Sequence, residues 1–261
     1  MSKPAPVTSE PGLVADAPVE VLDRIYTQSS ESMGQLPDGT VALMVTSPPY
    51  NVGKDYDDDL SLEEYLGLLE RVFTETYRVL EAGGRVAINV ANVGRKPYLP
   101  LNQHVAAMLS DIGYLLRGEI IWKKAKSAGG STAWGSWQSA KNPTLRDVHE
   151  YVIVACKESF HRQRKGDDTI TREDFLDATV SIWDIRPESA RRLGHPAPFP
   201  IELPRRLIEL YTFDGDLVLD PFLGAGTTAM AARDAGRHYV GYEINKDYVN
   251  LALERLAASN D

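Results

Sequence analysis

Residues 217–228 read Leu217-Val218-Leu219-Asp220-Pro221-Phe222-Leu223-Gly224-Ala225-Gly226-Thr227-Thr228. A short apolar run ends in an acid, a turn with two glycines follows, and Thr227 opens a helical pattern that reaches Ala235. Gly224 and Gly226 let the backbone come close to a ligand. In an open parallel sheet, ligands gather at the carboxyl ends of the strands, which is where Asp220 falls. The same grammar repeats outward. Tyr239-Val240-Gly241-Tyr242-Glu243 predicts a second strand ending in an acid, and Tyr248–Ala257 a helix. Upstream, Val41–Thr46, Arg85–Val90, Gly118–Trp122 and Tyr151–Ala155 read as strands. Leu62–Leu80, Leu101–Ile112 and Leu207–Tyr211 read as helices. Ser61 and Glu64 form a capping-box pattern ahead of the first helix, and Gly83-Gly84 are expected to stop it. Apolar strands alternating with amphipathic helices predict an α/β fold with a mostly parallel twisted sheet covered by helices on both faces.

The chain has 261 residues, 43% of them hydrophobic, enough for one sizeable core. Residues 1–20, with four prolines and little apolar pattern, are expected to form a disordered tail ahead of a single domain over 21–261. No apolar run approaches the roughly 18 residues a membrane span needs, and no basic-then-apolar leader is visible, so a cytoplasmic location is expected. The single cysteine, Cys156, excludes an internal disulfide and a cysteine-based metal cluster, so no metal is expected. The net charge of −9 is unevenly spread. Residues 117–206 carry net +4, against −8 before them and −5 after. A phosphate-binding surface is therefore expected in the middle third; a solvated face with surplus cations is the bland alternative.

Asp220 can pair with a cation, and Glu243, 23 residues later, can accept both hydroxyls of a ribose. An adenosine bearing a cationic amino-acid tail satisfies both, and S-adenosylmethionine is such a molecule. NAD stays open on spacing alone, and a phosphate loop is excluded because no Gly-Lys-Ser/Thr follows. A second motif, Thr46-Ser47-Pro48-Pro49-Tyr50-Asn51, follows a buried strand. Its prolines fix φ and lack N–H groups, which leaves the Pro48 carbonyl available to an incoming amine. Ser47 offers a second acceptor and Tyr50 a flat face for a base. The bland alternative is a rigid turn with a packed tyrosine. Cys156 follows the apolar run Val152–Ala155 and reads as a core thiol, where a covalent nucleophile would sit in an exposed loop.

Ser-Pro-Pro-Tyr at a strand end is the signature of methyltransferases acting on exocyclic or amide nitrogens. From about Asp23 onward the chain resembles the beta class of amino-methyltransferases of DNA, in which the catalytic motif precedes the cofactor motif. Ile120-Ile121-Trp122-Lys123-Lys124, Asp147-Val148-His149-Glu150-Tyr151 and His195-Pro196-Ala197-Pro198-Phe199-Pro200 are similar to further motifs of that class, in the same order. The resemblance implies a Rossmann-like S-adenosylmethionine-dependent fold, with Ser47, Pro48, Pro49 and Tyr50 as the catalytic loop. It implies cofactor contacts from Asp220, Pro221, Phe222, Gly224, Gly226, Thr227, Thr228, Glu243, Phe199 and Ser29. Two departures stand out: many relatives carry Gly-Asp where this chain has Gln28-Ser29, and lysine at the position of Phe199. Serine at position 47 points to the 4-amino group of cytosine, with adenine N6 as the alternative. An RNA or protein-amide substrate and a non-catalytic cofactor-binding subunit are the more distant readings. The implied partners are double-stranded DNA, a cognate restriction endonuclease and a second copy of the chain. DNA recognition is expected from insertions around 124–146 and 157–192, through Lys124, Trp134, Trp137, Arg162, Arg164, Lys165 and Arg172. Trp134 and Trp137 have packing against the sheet as their competing, and preferred, reading.

Overall fold

A computed structural model describes residues 15–49, 60–95, 97–124, 140–143, 145, 147–187 and 200–258. Tyr50, Trp134, Trp137 and the segment from His195 to Phe199 lie outside these residues. Eight strands form the main sheet: β1 (Arg24–Tyr26), β2 (Val41–Thr46), β3 (Leu80–Val90), β6 (Leu115–Lys123), β7 (His149–Cys156), β8 (Ile182–Asp184), β9 (Leu217–Asp220) and β10 (His238–Tyr242). A two-stranded ribbon, β4 (Val93–Arg95) and β5 (Tyr98–Leu99), stands beside it. The helices are α1 (Leu62–Val79), α2 (Leu101–Ile112), α3 (Arg172–Ala178), α4 (Glu202–Tyr211), α5 (Thr227–Asp234) and α6 (Lys246–Ala258). Among the described residues no helix is long and apolar enough to cross a membrane.

The sheet order is β1-β10-β9-β2-β3-β7-β6-β8. Only β7 runs against its neighbours β3 and β6; the other pairings are parallel, as the alternating pattern predicts. Strands β9 and β2 are adjacent, yet the chain leaves them in opposite directions, to β10 on one side and β3 on the other. That reversal opens a crevice at the carboxyl ends of these two strands.

Side chains alternate between two buried layers, as a sheet covered on both faces requires. Val86, Ile88, Leu219 and Val240 pack with Leu69, Val72 and Phe73 of α1 and Val105 and Leu109 of α2. Leu43, Val45, Ala87 and Val218 pack with Leu203, Leu207 and Ile208 of α4 and Ala231 and Ala232 of α5. Phe73 is fully buried, and its truncation to alanine would cost about 3–5 kcal/mol. Helix α1 starts where the capping box was expected: Ser61 Oγ accepts from Glu64 N, and Ser61 N donates to Glu64 Oε2 at 2.8 Å.

Two expectations are corrected. Gly83-Gly84 do not stop α1, which already yields to strand at Leu80. Gly83 instead makes room for a crossing segment, since a Cβ there would lie 2.3 Å from the His161 carbonyl oxygen, at a φ of +80°. The expected tail is docked from Ala15 onward. Ala15 N donates to Gly39 O at 2.9 Å, and Val19–Val21 form a 3-10 turn.

Candidate active site

Thr46 ends β2 and Asp220 ends β9, two strands paired through Leu43–Val218 and Met44–Leu219. Thr46 Oγ1 donates to Asp220 Oδ1 at 2.6 Å. This one bond joins the Ser47-Pro48-Pro49 loop to the glycine turn across 174 residues of sequence. Asp220 is 2% exposed. Its remaining hydrogen bonds come from Thr228 Oγ1 at 2.6 Å and Phe222 N at 3.1 Å. All three partners are neutral. Burial pushes the carboxyl up to about 6, against the pull of Thr228, Thr46 and the Phe222 amide, and Glu243 adds a little repulsion.

Glu243 follows β10 and is shared between two backbone donors. Oε2 accepts from Gly224 N at 2.9 Å and Oε1 from Asn245 N at 2.8 Å. Burial raises its carboxyl as well. The turn between them is tight: Gly224 and Gly226 have φ of +53° and +80°, and a Cβ on Gly226 would lie 2.8 Å from Ala252 Cβ. Pro221 and Thr227 are buried, and Phe222 is half-buried. On the β1 side, buried Ser30 donates to Pro221 O at 2.8 Å, while exposed Ser29 bonds Glu31 Oε2 at 3.0 Å. Ser29 thus lies one residue from the turn's support.

Among the described residues, neither Asp220 nor Glu243 has a cationic partner. A buried and a half-buried carboxylate served only by neutral donors suit a ligand that brings a positive charge and hydroxyls. Each carboxylate oxygen holds more than one acceptor site, so the bonds already made leave capacity for such a ligand. The donor set fits S-adenosylmethionine.

Ser47 is half-buried, Pro48 buried and Pro49 half-buried. Beneath Ser47 lies a polar group that sequence reading missed. Asn89 Nδ2 is 3.3 Å from Ser47 Oγ and 2.6 Å from Glu150 Oε2, and Lys124 Nζ donates to Glu150 Oε1. An acid directly ahead of the apolar run Tyr151–Cys156 of β7 was the available signal. Lys124, expected at DNA, is held here against Glu150, 4.9 Å from the Trp122 ring centroid.

The expected DNA contacts at Arg162 and Arg164 are corrected. Residues 157–169 cross the amino ends of the strands, at the far end from Ser47. Arg162, whose side chain is 7% exposed, bonds Glu81 at 2.5 Å and Asp216 at 2.6 Å. Arg164 bonds Glu81 at 3.1 Å and Asp16 at 2.9 Å. Lys165 is exposed on that same crossing segment, and Arg172 is exposed at the start of α3. The surplus cations of the middle third are thus partly consumed inside the protein. Cys156 is a core thiol, fully buried and raised by that burial, opposite in character to an activated nucleophile.

Comparison with known proteins completes the picture. The family described as DNA methylase, of the N6/N4 type, matches residues 41–254. The chain belongs to this DNA methylase family. Among its relatives is the Type II methyltransferase M.MthZI of Methanothermobacter thermautotrophicus, 31% identical over 89% of this chain and 76% of the relative. The Type II methyltransferase M.BglII of Bacillus subtilis is 28% identical over 94% and 71%. A solved structure of TTHA0409 from Thermus thermophilus, assigned as a DNA modification methylase and complexed with S-adenosyl-L-methionine, superposes with a TM-score of 0.74 at 30% identity. The match covers 90% of this chain and 93% of that one. The cytosine-N4-specific PvuII DNA methyltransferase, 21% identical, shares the fold at a TM-score of 0.71 over 88% of this chain and 85% of its own. The chain thus shares the fold of the TTHA0409 structure along nearly its whole length.

Proposed function

We propose that the chain is a site-specific DNA methyltransferase that uses S-adenosylmethionine to methylate the 4-amino group of cytosine in duplex DNA. The observation that carries this reading is the 2.6 Å bond from Thr46 to Asp220, which joins the Ser47-Pro48-Pro49 loop to a buried carboxylate that has no cationic partner among the described residues. Bound S-adenosylmethionine supplies an electrophilic methyl group on a sulfonium. Asp220 faces its positive charge, Glu243 accepts from its ribose hydroxyls, and Pro221, Phe222, Gly224, Gly226, Thr227 and Thr228 shape the turn around it. Ser29 and Phe199 contribute from the flanking segments.

A base inside a duplex is out of reach, so the target is flipped out of the stack. Its amine is a poor nucleophile, because the lone pair is delocalised into the ring. Ser47 Oγ and the Pro48 carbonyl accept its two N–H bonds, which favours a pyramidal nitrogen whose lone pair is free to attack. Pro49 keeps the loop rigid and Tyr50 stacks on the ring. Positioning supplies most of the rate, and no covalent enzyme intermediate is needed. Membership of a family whose relatives include Type II methyltransferases supports a cognate restriction endonuclease and a defined recognition sequence.

Mass spectrometry of nucleosides from treated duplex DNA tests the proposal. N4-methylcytosine is the expected product. Exclusive 6-methyladenine would replace the base assignment and keep the mechanism, and 5-methylcytosine would overturn both.

A further inference from the structure

We propose that Glu150 is a positioning residue for methyl transfer, acting through the Asn89 amide to hold Ser47 as a hydrogen-bond acceptor. The inference rests on the reading of Ser47 given above.

Glu150 is the second residue of β7, opposite Trp122 of β6, and its side chain is 8% exposed. A carboxylate so buried is costly unless its oxygens are bonded and its charge is met. Both conditions hold. Lys124 Nζ meets Oε1, and Asn89 Nδ2 meets Oε2 at 2.6 Å. Asn89, 2% exposed near the end of β3, links Glu150 to the loop through its 3.3 Å approach to Ser47 Oγ.

The chemistry of the two groups fixes a direction. An amide has a donor end and an acceptor end, whereas an ionised carboxylate only accepts. Glu150 therefore dictates that the nitrogen of Asn89 points toward it and toward Ser47. Asn89 becomes a donor to Ser47 Oγ, and the Ser47 hydroxyl proton must turn elsewhere. That leaves the remaining lone pair of Oγ to accept the N–H of an incoming base. A glutamine at position 150 both donates and accepts. It would allow the Asn89 amide to turn over and present its oxygen to Ser47, which would draw the serine hydroxyl into donating and rotate its acceptor direction away.

The test uses four full-length proteins: the natural chain, Glu150→Gln, Ser47→Ala and the double variant. Single-turnover methyl transfer is measured under saturating DNA and cofactor, with S-adenosylmethionine affinity by calorimetry as a check on the remainder of the site. Glu150→Gln should slow transfer by about tenfold or more, the loss of a charge-assisted hydrogen bond read as a rate. Its cofactor affinity should stay within about twofold, because Asp220 and Glu243 are untouched. In the Ser47→Ala background the same change should cost less than about twofold, since no hydroxyl remains to orient. Equal losses in both backgrounds would overturn the inference, making Glu150 a support of the fold. A normal rate for Glu150→Gln beside a slow Ser47→Ala would overturn it while sparing the Ser47 reading. A normal rate for Ser47→Ala would overturn that reading and the inference together. Asn89→Ala breaks the same link while keeping the Glu150–Lys124 pair; it carries the same test, with the same expected pattern, should Glu150→Gln not fold.

Discussion

Both ends of the sheet bury carboxylates, and they treat them in opposite ways. At the amino ends of the strands, Glu81 and Asp216 are met by guanidinium groups, Arg162 touching both and Arg164 adding a second contact to Glu81. At the carboxyl ends, Asp220 receives two hydroxyls and one amide N–H, and Glu243 two amide N–H groups. No cation faces either one among the described residues. A pair closed on itself serves stability or specificity of the fold, and its net worth against apolar packing is small. A carboxylate left with neutral donors holds uncompensated charge, and a ligand that brings a cation relieves it. The location of functional chemistry follows from this difference, even though each end buries an acidic residue almost completely, Glu81 at one and Asp220 at the other.

The sharpest way to break the comparison is at the closed end. Arg162→Ala strips Glu81 and Asp216 of their shared partner, leaving Asp216 with no cation and Glu81 with Arg164 alone. The expected loss is about 3–5 kcal/mol of unfolding free energy in urea titration. The side chain is 7% exposed, so little of this is screened. S-adenosylmethionine affinity of the folded fraction should be unchanged. A loss below about 1 kcal/mol would mean that the cluster is solvated and that the two ends do not differ as described.

The open end should respond to pH with the opposite sign from an ion pair. The Asp220 carboxyl is raised from 3.8 to about 6, so the folded protein binds this proton more tightly than the unfolded chain does. Its stabilising effect is complete below pH 3.8 and is lost as pH rises through about 6, at a cost of about 3 kcal/mol to the cofactor-free protein. Cofactor affinity runs the other way, since a cation prefers the ionised acid. Calorimetry in buffers of different ionisation enthalpy should show proton release on S-adenosylmethionine binding near pH 6. It should also show affinity falling as pH drops below that value. Asp220→Asn should flatten both curves, and retention of the pH dependence in that variant would remove Asp220 as its source.

A smaller effect is expected at Glu243, whose carboxylate already supports the turn through Gly224. Glu243→Ala should weaken cofactor binding by about 1–3 kcal/mol. Glu243→Gln should recover part of that loss, because an amide oxygen still accepts from the Gly224 N–H. Equal losses in the two variants would assign the effect to charge instead of to the acceptor geometry.

Which parts of this were legible beforehand follows from how local each signal is. Strand β2 was read with its observed bounds, Val41–Thr46, because an all-buried strand is a continuous apolar run closed by prolines. The pairing of acids with the glycine turn was legible for the same reason, since strand, acid and turn are contiguous. Arg162 was misread because a cation meant for DNA and one meant for Glu81 look alike along a chain. Its partners lie 81 and 54 residues away and become neighbours only when β3 and β9 enter the same sheet. The Asn89–Glu150 link was missed likewise, being made across two strands with 61 residues between them. A glycine pair after an amphipathic run has the local meaning of a helix stop, whereas the actual reason for Gly83 is the crossing segment.

The mildest test asks which end of the sheet faces DNA. Lys123 ends β6 at the same end of the sheet as the Ser47 loop, and its ion pair with Asp184 at 2.6 Å is exposed on both sides, so it contributes well under about 1 kcal/mol to stability. Lys165 is exposed on the segment that crosses the opposite end. If the duplex docks at the carboxyl ends, Lys123→Ala should reduce the slope of log affinity against log salt by about one, the loss of one phosphate contact. Lys165→Glu should leave that slope unchanged, despite reversing a charge in the most basic third of the sequence. Fluorescence anisotropy with a labelled duplex across a salt series measures both. The reverse result, a shallower slope for Lys165→Glu and none for Lys123→Ala, would place DNA on the closed end. The Ser47 loop would then be too far from the base to act on it, because the full length of the strands separates the two.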